Sequence, residues 1–219
     1  MVVIEHAIAV ETHGRYLVEP PDVPGAAPLL VGFHGYAEAA EAQLERMRAI
    51  PGADRWLLVS VQGMHRFYQR RANAVVASWM TRQDRELAIA DNLAYVARVV
   101  DEAAGERGNG RPLVFAGFSQ GVAMAFRAAA ASARPVAGVI AVGGDVPPEL
   151  DAGVLARVPA VLICRGANDP LYAPATFEND VRRLRQAGTG VQPLEFDGAH
   201  EWAAPVLRAA SLFLRERLA

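Results

Sequence analysis

An α/β fold with a mostly parallel central sheet is the architecture this sequence predicts, on three observations. Apolar runs of strand length recur at residues 29–33, 56–61, 113–116, 136–142, 160–164 and 191–196. Segments with apolar residues at helical spacing separate or follow them. The stretch Gly117-Phe118-Ser119-Gln120-Gly121 joins one such run directly to an Ala-rich helical segment. Strands alternating with helices at this spacing favour parallel pairing, with helices on both faces of the sheet.

The elements follow in order. Residues 4–10 and 16–19 are short apolar-rich runs around Thr12-His13-Gly14, which predicts an antiparallel hairpin at the N-terminus. The Pro- and Gly-containing stretch 20–25 reads as a surface loop. A buried strand at 29–33, a helix at 38–49 and a strand at 56–61 come next. Residues 62–81 are rich in arginine and aromatics without clear periodicity, which predicts a long loop with short helical pieces. Leu87, Ala90, Leu93, Ala94 and Ala97 mark one face of a long helix over 82–104. The strand 113–116 leads into a helix over 120–133, and strands at 136–142, 160–164 and 191–196 follow. Helices at 175–187 and 203–218 complete the pattern. The length of 219 residues fits one domain spanning 1–219.

Composition narrows the function classes. The net charge of −2 offers no single-sign field for nucleic acid or an anionic membrane surface. No apolar run reaches membrane-spanning length, and the first residues lack the pattern of a signal peptide. The lone cysteine, Cys164, excludes an intrachain disulfide and fits a reducing cytoplasm. The chain contains no lysine, which removes a lysine Schiff base, a phosphate-loop lysine and a Ser-Lys dyad. No His, Cys and acidic cluster has metal-ligand spacing, and no dinucleotide-binding glycine loop is present, so no metal or cofactor is expected.

The chemistry is concentrated in the Gly117–Gly121 stretch. A Gly-x-Ser-x-Gly sequence between a strand and a helix forces the serine into a strained turn with its hydroxyl above the sheet. The flanking glycines admit the close backbone approach this turn needs. A serine hydroxyl is a weak nucleophile and requires a base, and the base requires an orienting group. His200 follows the last strand and is the candidate base. Asp169, just after the strand 160–164, is the candidate acid in the order Ser…Asp…His. Asp145, after the preceding strand, is its main competitor, and Asp197 is too local to His200 to reach it correctly. Two backbone N–H groups are needed for the oxyanion. Gln120 follows the nucleophile and begins a helix, so its N–H is one candidate. The loop His34-Gly35-Tyr36-Ala37-Glu38 can turn back toward Ser119 and supply the Tyr36 N–H as the other. His34 is expected to shape that loop through hydrogen bonds.

His34-Gly35, Gly117-Phe118-Ser119-Gln120-Gly121, Gly166-x-x-Asp169 with Pro174 beyond it, and Gly198-Ala199-His200 occur in this order. Together they resemble the phospholipase/carboxylesterase branch of the α/β-hydrolase superfamily, which includes acyl-protein thioesterase-like enzymes. The resemblance implies a compact α/β-hydrolase fold without a large cap domain, acting on carboxylic or thioester substrates. It implies Ser119, Asp169 and His200 as the triad, with backbone donors at Tyr36 and Gln120. The chain departs from the common His-Gly-x-Gly-Asp oxyanion loop at Ala37 and Glu38.

The expectation is a cofactor-free serine esterase of the cytoplasm, acting on a small-molecule ester as a monomer or homodimer. A thioesterase or lysophospholipase working on longer acyl chains is the alternative within enzymes. A noncatalytic binding protein on the same fold is the alternative outside them. Trp79 and Trp202 are candidate walls of a substrate pocket, and Arg70, with Arg66 and Arg71, a candidate contact for an anionic substrate group.

Overall fold

The central apolar runs become strands because both their faces are covered, while the edge strand at 190–196 is only partly buried. The computed structural model describes residues 2–22, 25–69, 73–106 and 111–218. In chain order the elements are β1 (Arg15–Glu19), β2 (Leu29–Phe33), α1 (Ala40–Arg48), β3 (Leu57–Gln62), β4 (His65–Gln69), β5 (Ala74–Ser78), α2 (Arg85–Glu106) and β6 (Leu113–Phe118). They continue with α3 (Gln120–Ala131), β7 (Val136–Val142), α4 (Ala152–Leu155), β8 (Ala160–Gly166), α5 (Pro174–Gln186), β9 (Gly190–Phe196) and α6 (Ala204–Leu218). In β6, Leu113 and Phe115 pack into one core with Val99 of α2, Phe126 of α3 and Leu184 of α5. Val114, Ala116 and Phe118 of the same strand pack into a second core with Met47 of α1 and Phe213 of α6. A strand buried on both faces reads as a continuous apolar run. Each fully buried Leu, Val or Phe side chain contributes about 1.5–3 kcal/mol of transfer free energy.

The seven-stranded sheet has the order β1-β3-β2-β6-β7-β8-β9. β2, β3, β6, β7, β8 and β9 are parallel, and β1 runs antiparallel on β3. The chain steps from β2 toward one edge of the sheet and returns at β6 to build toward the other. The carboxyl ends of β2 and β6 therefore flank the switch point where α/β sheets open a ligand crevice.

Helix ends follow local chemistry. Pro174 opens α5 at a position that needs no N–H, and Arg183 and Arg185 face its negative end. Asp151 Oδ1 accepts from Val154 N–H at 2.9 Å and caps α4, an element absent from the sequence expectation.

Two local expectations are corrected. The antiparallel N-terminal strand exists, but its partner is β3, in a register that sets Tyr16 opposite Val61, while residues 4–10 form no strand and stay exposed. Apolar content without a surface to cover it does not make a strand. The segment 62–81 is not a loop with helical pieces: β4 and β5 form an antiparallel hairpin of their own. Most of β4 is exposed on both faces, so the inside–outside alternation that signals a strand is missing from its sequence.

Candidate active site

Ser119 is the N-cap of α3, yet its side chain caps nothing. Its backbone sits at φ 52°, ψ −120°, a conformation that a non-glycine residue holds only when its surroundings impose it. The Ser119 N–H donates to the Val142 carbonyl at 2.9 Å, and the Ser119 carbonyl accepts from Val122 N–H at 3.0 Å. Both bonds hold the backbone of the turn and leave the hydroxyl out of the helix cap. Gly121 lies against the carbonyls of Phe33 and His34, where a Cβ would overlap both. That close approach brings the loop after β2 beside Ser119.

Asp169 and His200 meet between two adjacent strand ends. His200 Nδ1 donates to Asp169 Oδ2 at 2.8 Å. Asp169 Oδ1 accepts from the N–H groups of Leu171 at 2.8 Å and Tyr172 at 3.0 Å. Burial alone would raise the Asp169 carboxyl, but the bonds from His200, Leu171 and Tyr172 outweigh it and hold the group below its ordinary value. The loop is tied to its neighbour by Ala167 N–H to Phe196 O at 2.8 Å and Asn168 N–H to Gly198 O at 2.9 Å. Arg165, buried at the end of β8, donates to the carbonyls of Tyr172 at 2.6 Å and Ala167 at 3.2 Å and to Glu195 at 2.6 Å. Gly143 has φ 66°, and a Cβ there would lie 3.1 Å from His200 Cε1. The end of β7 must therefore be bare for the imidazole to sit where it does.

Asp145 is exposed and makes no hydrogen bond to His200 among the described residues. Asp197 is also exposed and makes none. Of the three carboxylates weighed for this role, Asp169 is the one joined to the imidazole.

The loop after β2 is held by buried polar contacts. His34 is fully buried; its Nδ1 donates to the Gly35 carbonyl at 2.7 Å and its Nε2 accepts from Gly63 N–H at 3.0 Å. A carbonyl can only accept and an amide N–H can only donate, so the ring is the neutral Nδ1–H tautomer. Burial, the dominant effect, keeps its pKa below the ordinary value. Gly35 N–H donates to Glu38 Oε2 at 2.8 Å, and Arg46 grips the same carboxylate through two bonds of 2.7 and 2.5 Å. Burial alone would raise the Glu38 carboxyl, but Arg46 and the Gly35 N–H more than offset it. Ala37, in the position where glycine is common, has φ 57°. The N–H groups of Tyr36 and Gln120 have no acceptor among the described residues.

Gln120 does more than follow the serine. Its Oε1 accepts from Trp79 N–H at 3.0 Å and Ser78 Oγ at 3.2 Å, and its Nε2 donates to the Met80 carbonyl at 3.1 Å. It thus fastens the end of the β4–β5 hairpin to the elbow. Trp79, expected as a pocket wall, is fully buried, with Nε1 donating to the His34 carbonyl at 2.8 Å. It is core beneath the oxyanion loop and presents no surface to a substrate. Trp202 does line a recess, together with Tyr36, Phe118, Ser119 and His200. Arg66 is spent on the His13 carbonyl at 3.0 Å, and Arg70 and Arg71 lie outside the described residues.

A second recess opens on the other side of Ser119, past Gln120, toward Arg85, Arg127 and Asp145. The Arg127 guanidinium is buried there and bonded to Glu149 Oε1 at 2.8 and 2.5 Å. Sequence reasoning missed Arg46, Arg127 and Arg165. Only Arg165 carried a signal, a charge at the end of an otherwise apolar strand. Among the described residues no group of three or more His, Cys, Asp or Glu side chains could hold a metal, and no helix is long and apolar enough to cross a membrane.

The Phospholipase/Carboxylesterase family matches residues 14–218. Solved structures with the same fold include esterase PE8, at 21% identity and TM-score 0.75 over 94% of this chain and 100% of that one. Zea mays acyl-protein thioesterase 2 aligns at 16% identity and TM-score 0.75 over 94% of this chain and 100% of its own. A Bacillus cereus carboxylesterase aligns at 17% identity and TM-score 0.73, covering 93% of this chain and 94% of that one. No curated protein sequence matches the chain. The structural likeness establishes the α/β-hydrolase fold, and the match over nearly the whole length establishes the kinship: the chain belongs to the phospholipase/carboxylesterase family, whose members are hydrolases acting on esters.

Proposed function

We propose that the chain is a serine carboxylesterase in which Ser119, His200 and Asp169 act as nucleophile, base and orienting acid. The observation that carries this reading is the 2.8 Å bond from His200 Nδ1 to Asp169 Oδ2, with His200 and Ser119 lining one recess. Asp169 selects the tautomer that leaves Nε2 with a lone pair and stabilises the imidazolium that forms. His200 takes the Ser119 proton as Oγ bonds to the ester carbonyl carbon. The tetrahedral oxyanion is received by the Tyr36 and Gln120 N–H groups, the latter at the positive end of α3. The C–O bond to the leaving alcohol breaks as His200 returns the proton to that oxygen. Water, deprotonated by His200, then attacks the acyl-enzyme, and Ser119 recovers its proton.

The polar character of the recess beyond Gln120 supports short or polar acyl groups over long aliphatic chains, because a buried guanidinium is a poor neighbour for methylenes. The test is fluorophosphonate labelling of wild type beside Ser119→Ala, followed by p-nitrophenyl esters from acetate to decanoate beside an acyl-thioester. Labelling confined to wild type, with turnover falling as the chain lengthens, is the expected result. A folded wild type that does not label favours a noncatalytic binding protein. A preference for the thioester or for decanoate favours the thioesterase or lysophospholipase reading.

A further inference from the structure

The peptide that carries the Tyr36 N–H is held by its other end. Its carbonyl, on Gly35, accepts from His34 Nδ1 at 2.7 Å and from Glu38 N–H at 3.4 Å. In a trans peptide the N–H points away from the carbonyl, so fixing the Gly35 oxygen inside the loop turns the Tyr36 N–H outward. The neighbouring N–H groups are both occupied: Gly35 N–H by Glu38 Oε2 at 2.8 Å, and Ala37 N–H by the Ala77 carbonyl at 3.0 Å. Of three successive donors, only that of Tyr36 is left for a substrate.

Glu38 closes this loop on itself twice, through its carboxylate and through its own N–H. The Glu38 carbonyl accepts from Ala77 N–H at 2.8 Å, and what fixes its carboxylate is Arg46, reaching from the last turn of α1 with a fork of two bonds. The two side chains are only 24% and 19% exposed, so water competes weakly for the pair. The Arg46 guanidinium also lies 4.1 Å from the centre of the Phe118 ring, and that ring lies 4.9 Å from the ring of His200. A single ion pair thus touches the oxyanion loop, the residue before the nucleophile and, through Phe118, the base. The strain of Ala37 at φ 57° makes such a hold necessary, since a free loop would relax toward an ordinary conformation and rotate the adjoining peptides.

From these contacts we infer that the Glu38–Arg46 pair is a positioning device for the oxyanion donor at Tyr36, holding the loop in register with Ser119 and His200. The inference rests on the acyl-transfer reading above. Glu38 and Arg46 also border the recess that holds Ser119 and His200. The role inferred for them is positioning, through the Gly35–Tyr36 peptide and Phe118, and an effect on KM alone would mark a substrate contact instead. Removing an oxyanion donor outright costs about 10²–10³ in kcat. Loosening one should cost less, on the order of 10–100-fold.

The test compares wild type with Glu38→Ala, Glu38→Gln and Arg46→Met on p-nitrophenyl acetate. Affinity for a trifluoromethyl ketone, whose hydrate-like adduct carries the oxyanion, is measured in parallel. Glu38→Ala is expected to lower kcat by about 10–100-fold, with KM within about twofold, and to weaken the ketone by a similar factor. Glu38→Gln, which keeps an acceptor for Gly35 N–H, should recover part of the loss, and Arg46→Met should follow the same kcat pattern. A merely structural role would lower the active fraction, counted by fluorophosphonate titration, without changing kcat per active site. Glu38→Ala with kcat per site within twofold of wild type overturns the inference, as does a change in KM alone. If Glu38→Ala does not fold, Arg46→Met decides by the same criteria. A wild type that neither turns over the ester nor binds the ketone overturns the acyl-transfer reading itself, and the device with it.

Discussion

The Asp169–His200 side of Ser119 and the His34–Glu38 side reach the same serine by different means. On the first side the working groups are side chains, held mainly by their own loops and by the adjacent ends of β8 and β9. Asp169 accepts from residues two and three positions ahead of it. On the second side the group proposed to work is a main-chain N–H, and the contacts around it come both from far along the chain and from the neighbouring helix α1. Gly63 and Trp79 hold His34, Ala77 holds Ala37, and Arg46 holds Glu38. A side chain carries its chemistry wherever it is placed, whereas every residue but proline has an N–H. An N–H becomes special only when its neighbours are occupied and its plane is fixed. The acid–base side can therefore be recognised by residue type, whereas the Tyr36 N–H, a candidate from the position of its loop, is singled out by the bonds that occupy its neighbours.

Three comparisons sharpen or break this contrast, from the largest expected effect to the smallest. Asp169→Asn should lower kcat by about 10⁴, because the amide no longer selects the productive tautomer, while Asp145→Asn stays within about tenfold. Steady-state kinetics on a p-nitrophenyl ester would show it; the reverse ranking would move the acid to the end of β7. His34→Gln should change how stability depends on pH. The buried ring resists protonation while the unfolded chain takes a proton near the ordinary value of about 6.5. The unfolded state then binds more protons, so wild-type stability is full above about pH 6.5 and falls as the pH drops toward the lowered folded value, by at most about 1.4 kcal/mol per pH unit. Thermal unfolding at pH 7.5 and 5.5 should show a smaller drop for His34→Gln. An equal drop would mean that His34 does not carry the linkage. Ala37→Gly should be worth only about 0.5–1 kcal/mol: relief of a left-handed alanine, about 1–2, less the extra freedom of glycine in the unfolded chain, about 0.5–1. Urea unfolding measures it, and a loss of stability would show that the loop bears no strain at that position.

The same division explains what could be read in advance. Ser119, Asp169 and His200 were visible because a strand–elbow–helix context and strand-end loops in a fixed order are local patterns. The strands β2, β3, β6, β7 and β8 were visible because burial on two faces leaves a nearly unbroken apolar run, and the edge strand β9, half-exposed, by its place after a helix at the end of the pattern. The β4–β5 hairpin was hidden because most of β4 is exposed on both faces and lacks inside–outside alternation, and residues 4–10 looked like a strand only because they are apolar-rich. Trp79 and Trp202 were assigned the same role by type. Trp79 proved to be core under His34, and Trp202 lines the recess, a difference set by which segments pack against them.

By itself the sequence determined the sharp turn that presents Ser119, the strand-end loops that carry Asp169 and His200, and the layered sheet that supports them. These follow from steric and apolar demands that act between near neighbours in the chain. Tertiary structure decided that Asp169, the favoured candidate of three, bonds His200, that the Tyr36 N–H keeps no acceptor among the described residues while its neighbours are bonded, and that Arg46 grips Glu38. Those outcomes depend on how segments meet in the folded chain, and on burial, which makes one Glu–Arg pair a fixed strut and leaves another as a surface contact.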